Sequence, residues 1–156
     1  MSEIIKLSRT TVEKYLSCPR CCVLDKKYKI KPPSLPFTLN IAVDNLCKNE
    51  FDHYRRIQEP HPLFLQNDID AVPFKHKDLE RWRSNFQGIR YKSLEHNYEF
   101  SGAVDDIWQK KNGDLIIVDV KATSRNNFDW SETFDKYEYA KAYKRQLEMY
   151  QWLFKK

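Results

Sequence analysis

Apolar positions recur first with a helical period and then with a strand period, so the pattern predicts helices ahead of a sheet. Ser8 or Thr10 caps a short helix through about Ser17, with Glu13 three residues after Thr10 in capping-box relation. The run Lys31-Pro32-Pro33-Ser34-Leu35-Pro36 breaks the chain. A longer helix follows from about Thr38 to Ile57, with Leu39, Val43, Leu46, Phe51 and Tyr54 on its inner stripe. Pro60-His61-Pro62 opens an irregular stretch, and Lys77 to Phe86 reads as helical through Leu79, Trp82 and Phe86. Strands are expected over Tyr98 to Gln109 and Leu115 to Ala122. A last helix carries Ala140, Tyr143, Leu147, Tyr150 and Phe154 at helical spacing. This order implies a mixed α/β fold, a small sheet flanked by helices, in one domain over residues 1–156.

The two strands form a hairpin around Lys111-Asn112-Gly113-Asp114, and its open end carries the chemistry. Strand side chains alternate, so Asp119 and Lys121 point to one face. A two-residue turn at Asn112-Gly113 would set Asp119 opposite Asp106. A three-residue loop with Gly113 left-handed instead sets Asp105 opposite Asp119 and Ala103 opposite Lys121, which is the preferred register. Gly102, one of only 3 glycines, marks a bend or a close backbone approach. Carboxylates roughly 4–5 Å apart across a strand pair repel unless a cation lies between them. Hard oxygen donors select Mg²⁺ or Mn²⁺, and such an ion with Lys121 beside it suits phosphodiester hydrolysis. A structural Asp/Lys pair at the hairpin mouth is the alternative reading.

In the last helix Gln146 and Tyr150 lie four residues apart on one face. With them, the ordered set Gly102-x-x-Asp105, Asp119-Val120-Lys121 and Gln146-x-x-x-Tyr150 resembles the PD-(D/E)XK nuclease superfamily, specifically its RecB-like branch with the CRISPR-associated exonucleases. Ser8 to Arg20 also looks like the opening helix and Cys-Pro turn of that branch. The resemblance implies a restriction-endonuclease-like core and a metal-dependent DNA nuclease, exonuclease-like. It implies that Asp105 and Asp119 hold the metal with the Val120 carbonyl, that Lys121 is catalytic, and that Gln146 and Tyr150 orient DNA. The branch commonly has a glycine and, four residues on, a metal-binding histidine in an early helix. Here that stretch reads Asn40-Ile41-Ala42-Val43-Asp44, so Asp44 would supply an oxygen in place of the imidazole. Members usually add strands after the Gln-x-x-x-Tyr helix, whereas this chain stops at Lys156. It reads as a C-terminally truncated fragment or as a reduced version with its sheet completed from the Arg90 region.

A net charge of +5 favours an anionic partner. Basic residues gather at Lys26-Lys27, Lys29 to Lys31, Arg55-Arg56, Arg81, Arg83 and Lys141 to Arg145, with Tyr28, Tyr54, Trp82 and Tyr143 interleaved. That mixture suits DNA, a single strand in particular, by phosphate contact and base stacking, although any one such cluster is more often only a solvated face. No segment approaches a membrane span or a secretory leader, so the expected location is the cytoplasm. Cys18, Cys21, Cys22 and Cys47 could hold zinc or an iron–sulfur cluster, with buried free thiols the preferred reading. His53, His61, His76 and His96 show no ligand spacing. Two further functional classes stay open: a catalytically inactive nuclease-fold module that binds DNA, and a cysteine-bound metalloprotein.

Overall fold

Capping and hydrophobic spacing lay out the elements in order: β1 (Ile5–Ser8), α1 (Arg9–Ser17), α2 (Pro19–Tyr28), α3 (Thr38–Ile57), α4 (Pro62–Gln66), β2 (Ala71–Pro73), α5 (Leu79–Arg83), β3 (Ile89–Ser93), β4 (Tyr98–Gly102), β5 (Asp106–Lys110), β6 (Leu115–Val118), α6 (Trp130–Lys136) and α7 (Glu138–Phe154). They come from a computed structural model that describes residues 4–33, 38–122 and 129–156. Ser34 to Pro36 of the expected break lie outside the described residues, as does the side chain of Leu39. The chain divides into two compact units. One comprises Met1–Pro36, Ile89–Gly102 and Trp130–Lys156, the other Phe37–Gly88 and Ala103–Asp129.

In the first unit the sheet order is β1-β4-β3, with β1 parallel and β3 antiparallel to β4. Ser8 caps α1, its hydroxyl accepting from the Thr11 N–H at 3.3 Å. Glu13 therefore does not close a capping box from Thr10; its carboxylate receives a two-pronged bond from Arg145 at 2.8 and 3.0 Å, tying α1 to α7. Helix α7 lies on the sheet through Trp152, whose ring meets Tyr91 at 4.9 Å and Phe100 at 6.1 Å.

In the second unit β2-β5-β6 is antiparallel throughout. Its core joins Phe51 of α3, Phe64 of α4, Ala71 and Trp108, with Cys47, Ile69, Ile116 and Val118 packed around them. The Phe64 and Trp108 rings lie 4.2 Å apart and Phe51 meets Trp108 edge-on at 5.4 Å, so aromatic contacts fasten α3 to the sheet. Helix α3 has the expected span, yet Leu46 is 68% exposed and does not join the inner stripe. Helix α5 ends at Arg83, short of Phe86, which is 90% exposed: the Ser84 hydroxyl accepts from the Phe86 and Gln87 N–H groups in a turn.

The mixed α/β class holds, and the described residues form two three-stranded sheets where one sheet was expected. The single strand from Tyr98 to Gln109 is two strands, because the Val104 N–H leaves the ladder and donates to the Trp82 carbonyl at 3.1 Å. The Arg90 region does supply a strand, β3, and β1 is an element that the hydrophobic pattern did not reveal.

Candidate active site

The loop decides which carboxylates meet. Lys110 N–H donates to Asp114 O and Gly113 N–H to Lys110 O, both at 2.9 Å, closing the three-residue loop Lys111-Asn112-Gly113. Gly113 has φ +89°, a conformation that side-chain-bearing residues rarely adopt. The resulting register pairs Asp106 with Val118, so Asp105 and Asp119 each lie one residue beyond the last paired position of facing strands. The Val120 N–H turns back and donates to Asp105 Oδ2 at 2.8 Å. Lys121 pairs with the Asp119 carboxylate, whose side chain is 6% exposed.

Helix α3 adds a third acid. Lys48, one turn after Asp44, lies 2.7 Å from Asp44 Oδ2 and 3.7 Å from Asp105 Oδ1. Burial holds the Asp105 carboxyl above the ordinary range and the nearby Asp119 charge adds to this, with a smaller push from Asp44; the Val120 N–H and Lys48 act in the opposite sense. Asp44 Oδ1 is buried without a hydrogen-bond partner. The second unit thus brings Asp44, Asp105, Asp119, Val120 and Lys121 to one end of the β5–β6 hairpin. Lys48 was not among the expected site residues, although its i+4 spacing from Asp44 was readable as a shared helix face.

Asp106 faces the other way and does different work. Fully buried, it accepts from Arg55, lies 3.2 Å from Arg83 Nη2 and takes the Ile107 N–H at 2.7 Å. Both guanidiniums also reach Asp52, Arg55 at 2.6 Å and Arg83 at 2.9 Å. Arg55 and Arg83, grouped above with the basic clusters for a nucleic acid, are therefore spent inside the protein; their side chains are 8% and 7% exposed. Beyond the alternation that turns Asp106 away from Asp105, nothing in the residue pattern pointed to this network.

Gln146 and Tyr150 belong to the first unit. Both are buried, and Gln146 Nε2 donates to the Tyr150 hydroxyl at 3.0 Å. The expected close approach at Gly102 is real: a Cβ there would fall 2.6 Å from Tyr150 Cε1 and 3.0 Å from Leu153 Cδ1. Among the cysteines, Cys18 caps α2 by accepting from the Cys21 N–H at 3.2 Å, and the Cys21 contacts hold its thiol below the usual range. Cys22 is buried and donates to the Thr11 carbonyl at 3.7 Å, while Cys47 packs against the aromatic core. The histidines serve locally, His61 capping α4 and His76 stacking on Trp82 at 4.4 Å. Among the described residues no three acid, cysteine or histidine side chains are already drawn together as an ion cage, and no helix is long and apolar enough to cross a membrane.

A protein-family model, that of the PD-(D/E)XK nuclease superfamily, matches residues 38–156. The chain belongs to the PD-(D/E)XK nuclease superfamily. No curated protein and no solved structure matches it. Membership suggests nuclease activity on a nucleic acid, and such nucleases generally use divalent metals such as Mg²⁺. The residues at the hairpin mouth fit such an ion: the donors are all hard oxygens, one of them is a buried oxygen lacking a partner, and the carboxylates are held in mutual repulsion.

Proposed function

We propose that the chain is a Mg²⁺- or Mn²⁺-dependent nuclease of the RecB-like branch, hydrolysing DNA phosphodiesters in exonuclease fashion within one nuclease domain, in the cytoplasm. The observation that carries this reading is the convergence of Asp105 and Asp119 across the β5–β6 register, with Lys121 on Asp119. Asp44, Asp105, Asp119 and the Val120 carbonyl would hold the ion, which when bound supplies an activated water and a Lewis acid for the phosphate. Lys121 neutralises charge that develops on the phosphate oxygens, its ammonium already fixed by Asp119. Asp119 aims Lys121, and the Val120 N–H fixes the Asp105 carboxylate, so two neighbouring residues orient both key groups. Gln146 and Tyr150 orient DNA through the helix that carries them, and the hydrogen bond between these two buried side chains supports a positioning role. Exposed Lys26, Lys27, Lys29 and Tyr28 suit a single strand.

One observation favours the inactive DNA-binding module instead: both lysines already answer the three carboxylates. An end-labelled DNA assay separates the two. Asp119→Ala is expected to abolish Mn²⁺-dependent cleavage while leaving circular dichroism and DNA binding intact. Salt-sensitive binding with no cleavage by the wild-type chain in any divalent metal would select the module. Metal analysis of the purified chain disposes of the cysteine-bound alternative if zinc and iron are both absent.

A further inference from the structure

Among the described residues, three carboxylates at the hairpin mouth face two ammonium groups, and only one of the two belongs to the ordered motifs. Lys121 answers Asp119. Lys48 is shared by the other two acids, 2.7 Å from Asp44 Oδ2 and 3.7 Å from Asp105 Oδ1. Its place is fixed by the helix, since Asp44 and Lys48 are one turn apart on the same face of α3. Its freedom comes from its stem, a flexible four-carbon chain bearing a compact charge, with the side chain 23% exposed. Asp44 meanwhile keeps one buried oxygen without a hydrogen-bond partner, so the lysine satisfies only part of what that carboxylate can bind.

We propose that Lys48 is a built-in counter-ion of the Asp44–Asp105 pair, competing with the divalent ion for those two carboxylates and turning toward solvent when the ion binds. This rests on the metal-dependent reading above. The ammonium steadies the paired acids while no ion is present, and it holds metal affinity below what three carboxylates alone would give. A single positive charge a few ångströms from a divalent ion opposes it even through solvent-like screening. Removing the amine while keeping an unbranched stem should therefore strengthen metal uptake, which is the reverse of what loss of a ligand or of a structural contact would do.

Calorimetric titration of the full chain with Mn²⁺ alone tests this. Lys48→Met is expected to lower the Mn²⁺ dissociation constant roughly tenfold. Lys48→Arg, which keeps the charge, should stay near wild type, and Asp105→Asn should lose uptake. Lys48→Gln provides the same comparison if Lys48→Met fails to fold. Unchanged or weaker uptake in the neutral variants, with wild type binding and Asp105→Asn not, overturns the role of Lys48 and leaves the metal site standing. Absence of Mn²⁺ uptake by every protein overturns both.

Discussion

Two adjacent aspartates, Asp105 and Asp106, have opposite energetics because strand alternation sends them to opposite environments. Asp106 is buried against two guanidiniums, and removing one partner of a buried ion network typically destabilises by about 3–5 kcal/mol. Asp105 is half-buried beside other acids, and its carboxyl is held above the ordinary range by desolvation first and Asp119 second. Between its unfolded and folded pKa the native state therefore binds more protons than the unfolded chain, so this residue's contribution to stability falls as pH rises through that window. Thermal melts without divalent ions should show Asp106→Asn strongly destabilised and Asp105→Asn equal to or more stable than wild type above the window. The wild-type advantage should reappear on acidification. A strongly destabilised Asp105→Asn at neutral pH would contradict this assignment.

At the scale of elements, two glycines do separable jobs. Gly113 needs its positive φ but has open space around it, so Gly113→Ala should cost about 1–2 kcal/mol through backbone strain alone. Gly102 sits at the end of β4 against Tyr150 and Leu153, and an added methyl would collide with both. Gly102→Ala is expected to destabilise by about 1–3 kcal/mol in denaturant melts, and Gly102→Ala with Tyr150→Ala to recover part of that loss. Purely additive losses would argue against the close approach. The loop chemistry at Lys111-Asn112-Gly113 and the 20-residue α3 were legible in the sequence because turn residues and helical spacing act locally. The division of the long strand was not, since it depends on the Trp82 carbonyl capturing the Val104 N–H across 22 positions of chain. The exposure of Leu46 and Phe86, and the internal use of Arg55 and Arg83, likewise follow from tertiary neighbours that periodicity does not encode.

At the scale of the whole molecule, the convergence of the candidate residues Asp105, Asp119 and Lys121 was readable because the strand period and the turn residues both act locally. The register that sets Asp105 opposite Asp119 was the one that the three-residue loop Lys111-Asn112-Gly113 favoured, and the hydrogen bonds of Lys110, Gly113 and Asp114 close that loop. Lys48 was hidden because its partner Asp105 is distant in sequence. The superfamily match over residues 38–156 covers α3 and also the end of β4, the hairpin and α7, the segments that carry the ordered motifs. We propose that Asp105, Asp119 and Lys121 hydrolyse phosphodiesters through a divalent ion at the hairpin mouth. A single-turnover time course on end-labelled DNA with Mn²⁺, comparing the wild-type chain, the same chain with excess chelator, and a folded Lys121→Ala variant, tests it most directly. Cleavage in the first and none in the other two is the predicted result; equal cleavage in all three would contradict it.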